Sequence, residues 1–335
     1  MNSYFTFSEA QQRTLISQTA ARVGLPEQAV EKDLWVTVIL QAVFALPYAG
    51  KLIFKGGTTL AKAGLISRFS EDIDLAIDRT LFGIEEDLTK KKLKGLRKQS
   101  SLFVKDTLAE DLRRELETLQ LGSWCSIEPE PDGEGDLTYP EPRKIHVRYR
   151  SLFLAPLAYL RPEVLLEIGA RSLIEPWTLQ HVQSFIASAT GVKTAPSEER
   201  LIPMADPRKT FLEKAFLLHE QFSTGAQRKA DRQSRHLYDL EKMMQRPDIL
   251  AAIHDDALWA SIAHHRAVFT SVAGFDYNAE IRDHIVLVPP ESVLADWQAD
   301  YQTMCQSMIF EPDPLSFDAL IERLHTLESL FRHRR

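Results

Sequence analysis

A chain of 335 residues, 44% hydrophobic and 26% charged, has ordinary globular composition and is long for one core, so two subdomains are expected. Its two cysteines, Cys125 and Cys305, lie far apart and in no CxxC or Cys/His cluster, which excludes a disulfide framework or cysteine zinc site and fits a reducing cytoplasm. The net charge of −7 argues against nucleic acid at first sight, but phosphate binding depends on local patches.

Two basic segments supply such patches. One carries Lys90, Lys91, Lys92, Lys94, Arg97, Lys98, Lys105, Arg113 and Arg114; the other is Arg228, Lys229, Arg232 and Arg235. Each reads equally well as a solvated helix face. Met1 to Leu15 lacks a basic region followed by an apolar one, so no signal peptide is expected. The longest apolar stretch, Trp35 to Leu46, follows Glu31, Lys32 and Asp33, is too short to span a bilayer, and reads as a buried helix. No membrane partner and a cytoplasmic location are expected.

In chain order, Ser8 with Gln11 makes a capping-box start for a helix to about Arg22. Pro26, at a first helical position, opens a second helix, Glu27 to Leu46, with Val30, Leu34, Val38 and Ala42 at helical spacing. Lys51 to Lys55 is a short strand broken by Gly56-Gly57. Thr58 to Ala63 is a brief helix, and Asp72 to Ile77 alternates as a strand. A long basic helix runs from Leu88 to Leu121, and Glu128 to Pro142 is a loop or hairpin connection. His146 to Arg150 and Val164 to Ile168 are further strands. From Pro207 onward the pattern is helical, with apolar stripes Phe211, Ala215, Leu218, Phe222 and Leu237, Leu240, Met244. The fold class is therefore α+β: residues 1–195 form a mixed-sheet domain with N-terminal helices. Residues 196–335 form a helical domain, the boundary falling near residues 190–206.

The chemistry concentrates at Asp72 and Asp74. Carboxylates at i and i+2 on a strand share a face and repel unless a cation lies between them. Mg²⁺ (or Mn²⁺) suits that position, taking carboxylate oxygens while keeping sites for phosphate oxygens. Gly56 and Gly57 let backbone approach a triphosphate, the helix starting at Thr58 offers unpaired N–H groups, and the Thr58 hydroxyl adds a contact. The spacing fits neither GxxxxGK[ST] nor GxGxxG. A Gly-Gly turn fourteen residues (Thr58 to Glu71) before Asp-x-Asp, between two strands, resembles the polymerase-β-type nucleotidyltransferase superfamily, where a third carboxylate comes from a later strand. Glu167, inside the apolar run Val164 to Ile168, is the candidate third metal ligand, with a surface pairing to Arg171 as the alternative. Arg68 and Ser70, in the loop before the pair, either touch phosphate or tie the loop down, the second being preferred.

Longer motifs carry a closer resemblance. Glu31 to Thr37 (EKDLWVT), Phe54 to Leu60 (FKGGTTL), Arg68 to Leu75 (RFSEDIDL), Arg208 to Lys214 (RKTFLEK) and Ser234 to Leu240 (SRHLYDL) resemble the AbiEii/AbiGii nucleotidyltransferase toxin family. The resemblance implies the toxin half of a toxin–antitoxin or phage-defence pair, restrained by a cognate antitoxin protein. It also implies transfer of NMP from an NTP to an RNA 3′-hydroxyl, tRNA in the first instance, blocking translation.

The positions matching the family's functional motifs are Gly57, Thr58, Asp72, Asp74, Lys214 and Asp239. Asp72 and Asp74 hold metal, one of them (or Glu167) acting as base toward the attacking hydroxyl. Gly56, Gly57 and Thr58 hold the phosphates and Lys214 neutralises them. Lys214, at the edge of an apolar stripe, can bury its stem and reach a phosphate; the plain alternative is a snorkelling surface lysine. Asp239 orients Lys214 or contacts the nucleotide, against a plain helix pair with Arg235. On that reading the cleft lies between the two subdomains. Transfer to a protein side chain, or a non-catalytic NTP-binding regulator, are the competing readings.

Overall fold

The computed structural model describes residues 4–85, 89–135, 138–153, 160–195, 199–223, 230–277 and 279–333. The chain forms two compact units, Met1–Lys62 with Ser70–Ala205, and Ala63–Phe69 with Asp206–Arg335.

The first unit opens with helix α1 (Glu9–Val23). Ser8 Oγ accepts from Gln11 N–H and the Gln11 side chain accepts from Ser8 N–H, closing the expected capping box. Helix α2 (Glu27–Val43) starts at the expected Glu27, with Pro26 at the N-cap rather than the first helical position, and ends three residues before the expected Leu46. Every residue from Ala29 to Val43 is buried, so α2 is a core helix on all sides rather than an amphipathic one.

Seven strands follow: β1 (Leu52–Lys55), β2 (Ile73–Ile77), β3 (Cys125–Pro129), β4 (Arg143–Tyr149), β5 (Glu163–Gly169), β6 (Trp177–His181) and β7 (Leu201–Ala205). They form one mixed sheet in the order β3-β4-β5-β2-β1-β7-β6. The β1–β7 and β2–β5 pairs are parallel and the other four antiparallel. Burial alternates along β4 and β5, while β1 and β2 are buried except at Lys55 and Asp74. Leu52, Phe54, Ile73, Leu75, Ile77, Ile145, Val147, Val164, Leu166, Ile168 and Ile202 are each wholly or almost wholly buried on one face. The opposite face carries Lys55, Asp74, Lys144, His146 and Glu167, all partly exposed.

The remaining helices of this unit are α3 (Gly57–Lys62), α4 (Lys90–Leu102), α5 (Ala109–Thr118) and α6 (Phe185–Thr190). The expected long basic helix is α4 and α5 joined by a π-helical stretch, Phe103–Leu108, which seats the Phe103 ring edge-on against Tyr48 and Phe82. Leu88, its expected first residue, lies outside the described residues. Helix α5 packs on β3, and α2 and α4 on β5.

Three strands escape the sequence reading, for separate reasons. Pro203 lies inside β7 and demotes a strand pattern. All five residues of β6 are exposed, so it shows no alternation. Strand β3 runs into the Pro- and Gly-rich connection and is paired to β4 as a hairpin.

Glu141 plugs the end of β5. Its Oε1 accepts from Ala170 N–H at 2.5 Å and packs so closely on Gly169 that a Cβ there would lie 2.6 Å away. Burial pushes its carboxyl up to about 7, against the pull of Ser100, the Ala170 N–H, Arg171 and Arg97. The folded state then holds one more proton than the unfolded chain between pH 4.5 and about 7, so stability falls as pH rises through that interval. Relative to Glu141→Gln, the wild type should lose on the order of 3 kcal/mol between pH 4.5 and 8 in urea unfolding. Parallel pH profiles for the two proteins would contradict this.

The second unit is helical: α7 (Pro207–Ser223), α8 (Arg235–Met244), α9 (Pro247–Leu250), α10 (Asp256–Phe269), α11 (Glu291–Ser307) and α12 (Phe317–Arg332). Phe211, Ala215 and Leu218 of α7 and Leu237 and Leu240 of α8 are fully buried, as their spacing predicts. The Phe216 ring lies 4.2 Å from Trp259, and Phe211 stacks on Phe331, joining α7 to α10 and α12. The segment before Phe69 returns to this unit by pairing. Arg68 bridges Ile309, and Phe69 N–H donates to Met308 C=O at 2.7 Å.

Candidate active site

In the first unit the strand register brings the expected acids together. Asp74 of β2 has Lys55 of β1 opposite it on one side and Glu167 of β5 on the other, and Lys144 of β4 lies opposite Glu167. Neighbouring strands are about 4.8 Å apart, so Lys55, Asp74, Glu167 and Lys144 form one row across the partly exposed face. Two carboxylates are therefore side by side at the centre of the row, with a lysine at each end.

The backbone of Gly56 lies against Asp74. Its φ of +87° lies in the left-handed region, and a Cβ placed on it would come within 2.0 Å of Asp74 Oδ2. Thr59 Oγ1 donates to Gly56 C=O at 2.6 Å and holds the turn in place. The glycine is thus required twice over, by its dihedral and by the carboxylate that occupies its side-chain space.

Thr58 behaves differently from its expected role. It is buried, and its hydroxyl is committed to Asp72 C=O at 2.6 Å and Ser70 Oγ at 2.9 Å. The hydroxyl therefore fixes the loop carrying Asp72, and any phosphate contact at this residue falls to its backbone. Ser70 ties the loop down, as preferred from sequence. Lys32 reinforces it through a buried ion pair with Glu71 at 2.5 Å.

The neighbouring charges of α2 are equally engaged. Asp33 pairs with Lys62 and accepts from Phe185 N–H at 2.7 Å. Glu31 accepts from Ser151 Oγ at 2.6 Å and Leu152 N–H at 2.7 Å. Sequence reading assigned these three residues no role beyond preceding the apolar run and forming part of a family motif. The signal was available, since charges flush against an uninterrupted apolar run must be paired when the helix is buried.

Glu167 is tied to Lys144, whose Nζ lies 3.3 Å from Oε1, and not to Arg171 as the alternative reading had it. Among the described residues, no three His, Cys, Asp or Glu side chains gather as a metal-binding group. What the site offers a cation is oxygen donors from Asp72 and Asp74, with Asp74 seated in the space Gly56 leaves. That donor set fits a hard divalent ion.

Lys214 and Asp239 belong to the second unit, and both are buried rather than on a helix surface. Asp239 receives a bidentate clasp from Arg68, Nε to Oδ1 at 2.7 Å and Nη2 to Oδ2 at 2.8 Å. Lys214 Nζ lies 2.9 Å from Asp239 Oδ2, so Asp239 does contact Lys214, and its second cationic partner is Arg68 rather than the Arg235 of the alternative reading. Although burial acts to raise the Asp239 carboxyl, Arg68 and Lys214 together hold it far below the usual carboxylate range. Burial pulls the Lys214 ammonium down; Asp239 opposes this, and Arg68 and Arg235 add to it.

His236, missed from sequence, completes the group with Nδ1 3.2 Å from Lys214 Nζ. Its position three residues before Asp239 on one helix face was the available signal. Of the second basic cluster, Arg228 and Lys229 lie outside the described residues, and Arg232 N–H is capped by Asp300 at 2.6 Å.

The chain belongs to the AbiEii nucleotidyltransferase toxin family: a model described as "Nucleotidyl transferase AbiEii toxin, Type IV TA system" matches residues 38–323. Among solved structures it is similar to JHP933 from Helicobacter pylori, with 15% identity over 92% of this chain and 94% of that one and a TM-score of 0.44. A second H. pylori structure, described as a candidate nucleotidyltransferase, shows 14% identity over 92% of this chain and 97% of that one, with a TM-score of 0.42. No curated protein matches. The family brings with it nucleotidyltransferase activity, an NTP substrate and an antitoxin partner. No helix of the described residues is long and apolar enough to cross a membrane.

Proposed function

We propose that this chain transfers NMP from an NTP to the 3′-hydroxyl of an RNA, tRNA in the first instance, and so blocks translation until its antitoxin restrains it. The observation that supports this most is the seating of Asp74 against Gly56, beside Glu167, on a partly exposed sheet face. Oxygen donors so placed suit the handling of a metal-bound triphosphate.

Asp72 and Asp74 would hold Mg²⁺ (or Mn²⁺), which when bound neutralises phosphate charge and lowers the pKa of the attacking hydroxyl. The Gly56-Gly57 backbone takes the phosphates at close range, Thr58 and Lys32 keep the Asp72 loop from drifting, and Lys214 contributes a phosphate contact. Glu167 accepts the proton of the attacking hydroxyl, with Lys144 holding that side chain in place. Holding the reactants at this geometry accounts for much of the rate, since little covalent chemistry is asked of the protein.

The acceptor is held by the basic face of α4. Arg97 and Lys105 are spent on Tyr139 C=O and Asp132, and Arg113 and Arg114 on Glu110, whereas Lys91, Lys94 and Lys98 are exposed. Those three lysines are the RNA contacts of the proposal.

The test is incubation with total bacterial tRNA, Mg²⁺ and each α-³²P-labelled NTP, beside Asp72→Ala. Label on tRNA that disappears in Asp72→Ala is expected. Replacing Lys91, Lys94 and Lys98 by Gln should weaken tRNA binding and lower the slope of log K against log salt by roughly 2, leaving NTP binding unchanged. Label on a protein band would move the acceptor to a protein side chain. NTP bound with no label anywhere would sink the transferase reading in favour of a regulator.

A further inference from the structure

A lysine ammonium has three hydrogen-bond donors and no acceptor, so each buried lysine can be audited for where its protons go. Lys62 balances within the first unit: Asp33 Oδ1 at 2.5 Å, Thr37 Oγ1 at 2.9 Å and Gln183 C=O at 3.0 Å take all three. Lys214 does not balance. It is almost wholly buried, yet among the described residues it has two partners, Asp239 Oδ2 and His236 Nδ1. One N–H of a desolvated ammonium remains for something else, and an unmade bond there is costly unless a ligand makes it.

The two partners differ in what they constrain. Asp239 is itself immobilised by both Arg68 nitrogens, so it anchors the ammonium electrostatically. His236 comes from the same helix, α8, one turn earlier, and reaches Nζ from another direction. Because an ammonium only donates, Nδ1 must be the acceptor and the ring proton sits on Nε2. The surroundings keep that tautomer neutral: burial first, then the Lys214 and Arg235 charges, hold the imidazole well below its usual range. A protonated ring would repel the ammonium it now holds.

We infer that His236 is a positioning residue: its neutral Nδ1, together with Asp239, fixes the Lys214 ammonium so that the third N–H is left for a phosphate oxygen of the nucleotide. The inference rests on the reading of Lys214 as a phosphate ligand. It also explains why a cation is tolerated beside Arg68 and Arg235. The anion that completes its shell arrives with the substrate, and binding energy is used to relieve an ammonium that burial and two guanidiniums disfavour.

The test compares His236→Asn, whose amide oxygen can stand where Nδ1 stands, with His236→Leu, which keeps bulk and loses the acceptor. Lys214→Ala is the control. Binding of a fluorescent NTP analogue in Mg²⁺, steady-state transfer and thermal melting are measured on the full chain. His236→Leu should weaken nucleotide binding about tenfold, as losing a partner that orients a ligand-binding group does, and should raise KM more than it lowers kcat. His236→Asn should stay within about threefold of wild type. Equal losses in both variants that track their melting temperatures, or wild-type binding in His236→Leu, would overturn the inference while Lys214→Ala still binds poorly. Wild-type nucleotide binding by Lys214→Ala would instead remove the reading beneath it, and the inference with it.

Discussion

Gly56→Ala should lower nucleotide transfer at least about 100-fold, more than its effect on folding explains. The alanine Cβ would fall 2.0 Å from Asp74 Oδ2, so the carboxylate must leave its place or the turn must open. Neither movement is cheap, because Thr59 grips the Gly56 carbonyl and Asp74 is fixed in register between β1 and β5. The φ of +87° adds a backbone cost of about 1–3 kcal/mol for a residue with a side chain. Kinetics and denaturant unfolding on the same preparation separate the two effects. A variant that loses stability but keeps its rate would show that Asp74 is not positioned by this turn, and would remove the main support for the metal site.

The largest effect on stability belongs to Asp239→Ala, expected to cost about 3–5 kcal/mol. Asp239 is fully buried and is the carboxylate between Arg68 and Lys214, so its loss strands two cations away from water. A double-mutant cycle with Arg68→Ala should return a coupling of about 0.5–3 kcal/mol, since each single variant already breaks the same clasp. Urea unfolding provides the measurement. A cost below 1 kcal/mol, or additive single and double variants, would mean that water reaches the cluster and that Asp239 is dispensable to the fold.

Much of the first unit was legible because its local rules agree with its tertiary role. The Ser8/Gln11 box, the Gly56-Gly57 break and the strand read over Asp72 to Ile77 appear in the structure within one or two residues of where they were read. Asp74 stood out for the same reason, being a carboxylate in an otherwise apolar strand, with Asp72 just ahead of the strand. What could not be read was pairing over distance. Nothing local to Glu167 says that Lys144, rather than Arg171, lies opposite it; that follows from the β4–β5 register. Nor does anything near Asp239 point to Arg68, although Lys214 was named as its partner and Arg235, one turn away, only as the alternative. Thr58 shows the opposite failure. It lies at the start of the short helix read there, and its hydroxyl was nevertheless taken by the Asp72 carbonyl, a competition that only the fold decides.

The detour of Ala63–Phe69 into the second unit has a consequence for how the protein is made. Arg68 faces Ile309 and Phe69 bonds to Met308, so the residues just ahead of Asp72 wait for partners near the far end of the chain. Roughly 240 residues must emerge between the two, which takes on the order of ten to fifty seconds at ordinary rates of synthesis. During that time the nascent chain already contains Gly56, Asp72 and Asp74 but lacks the strand pairing and the clasp that anchor the segment leading to them. A ribosome making this chain must therefore pass Ile309 before that segment can take its final partners.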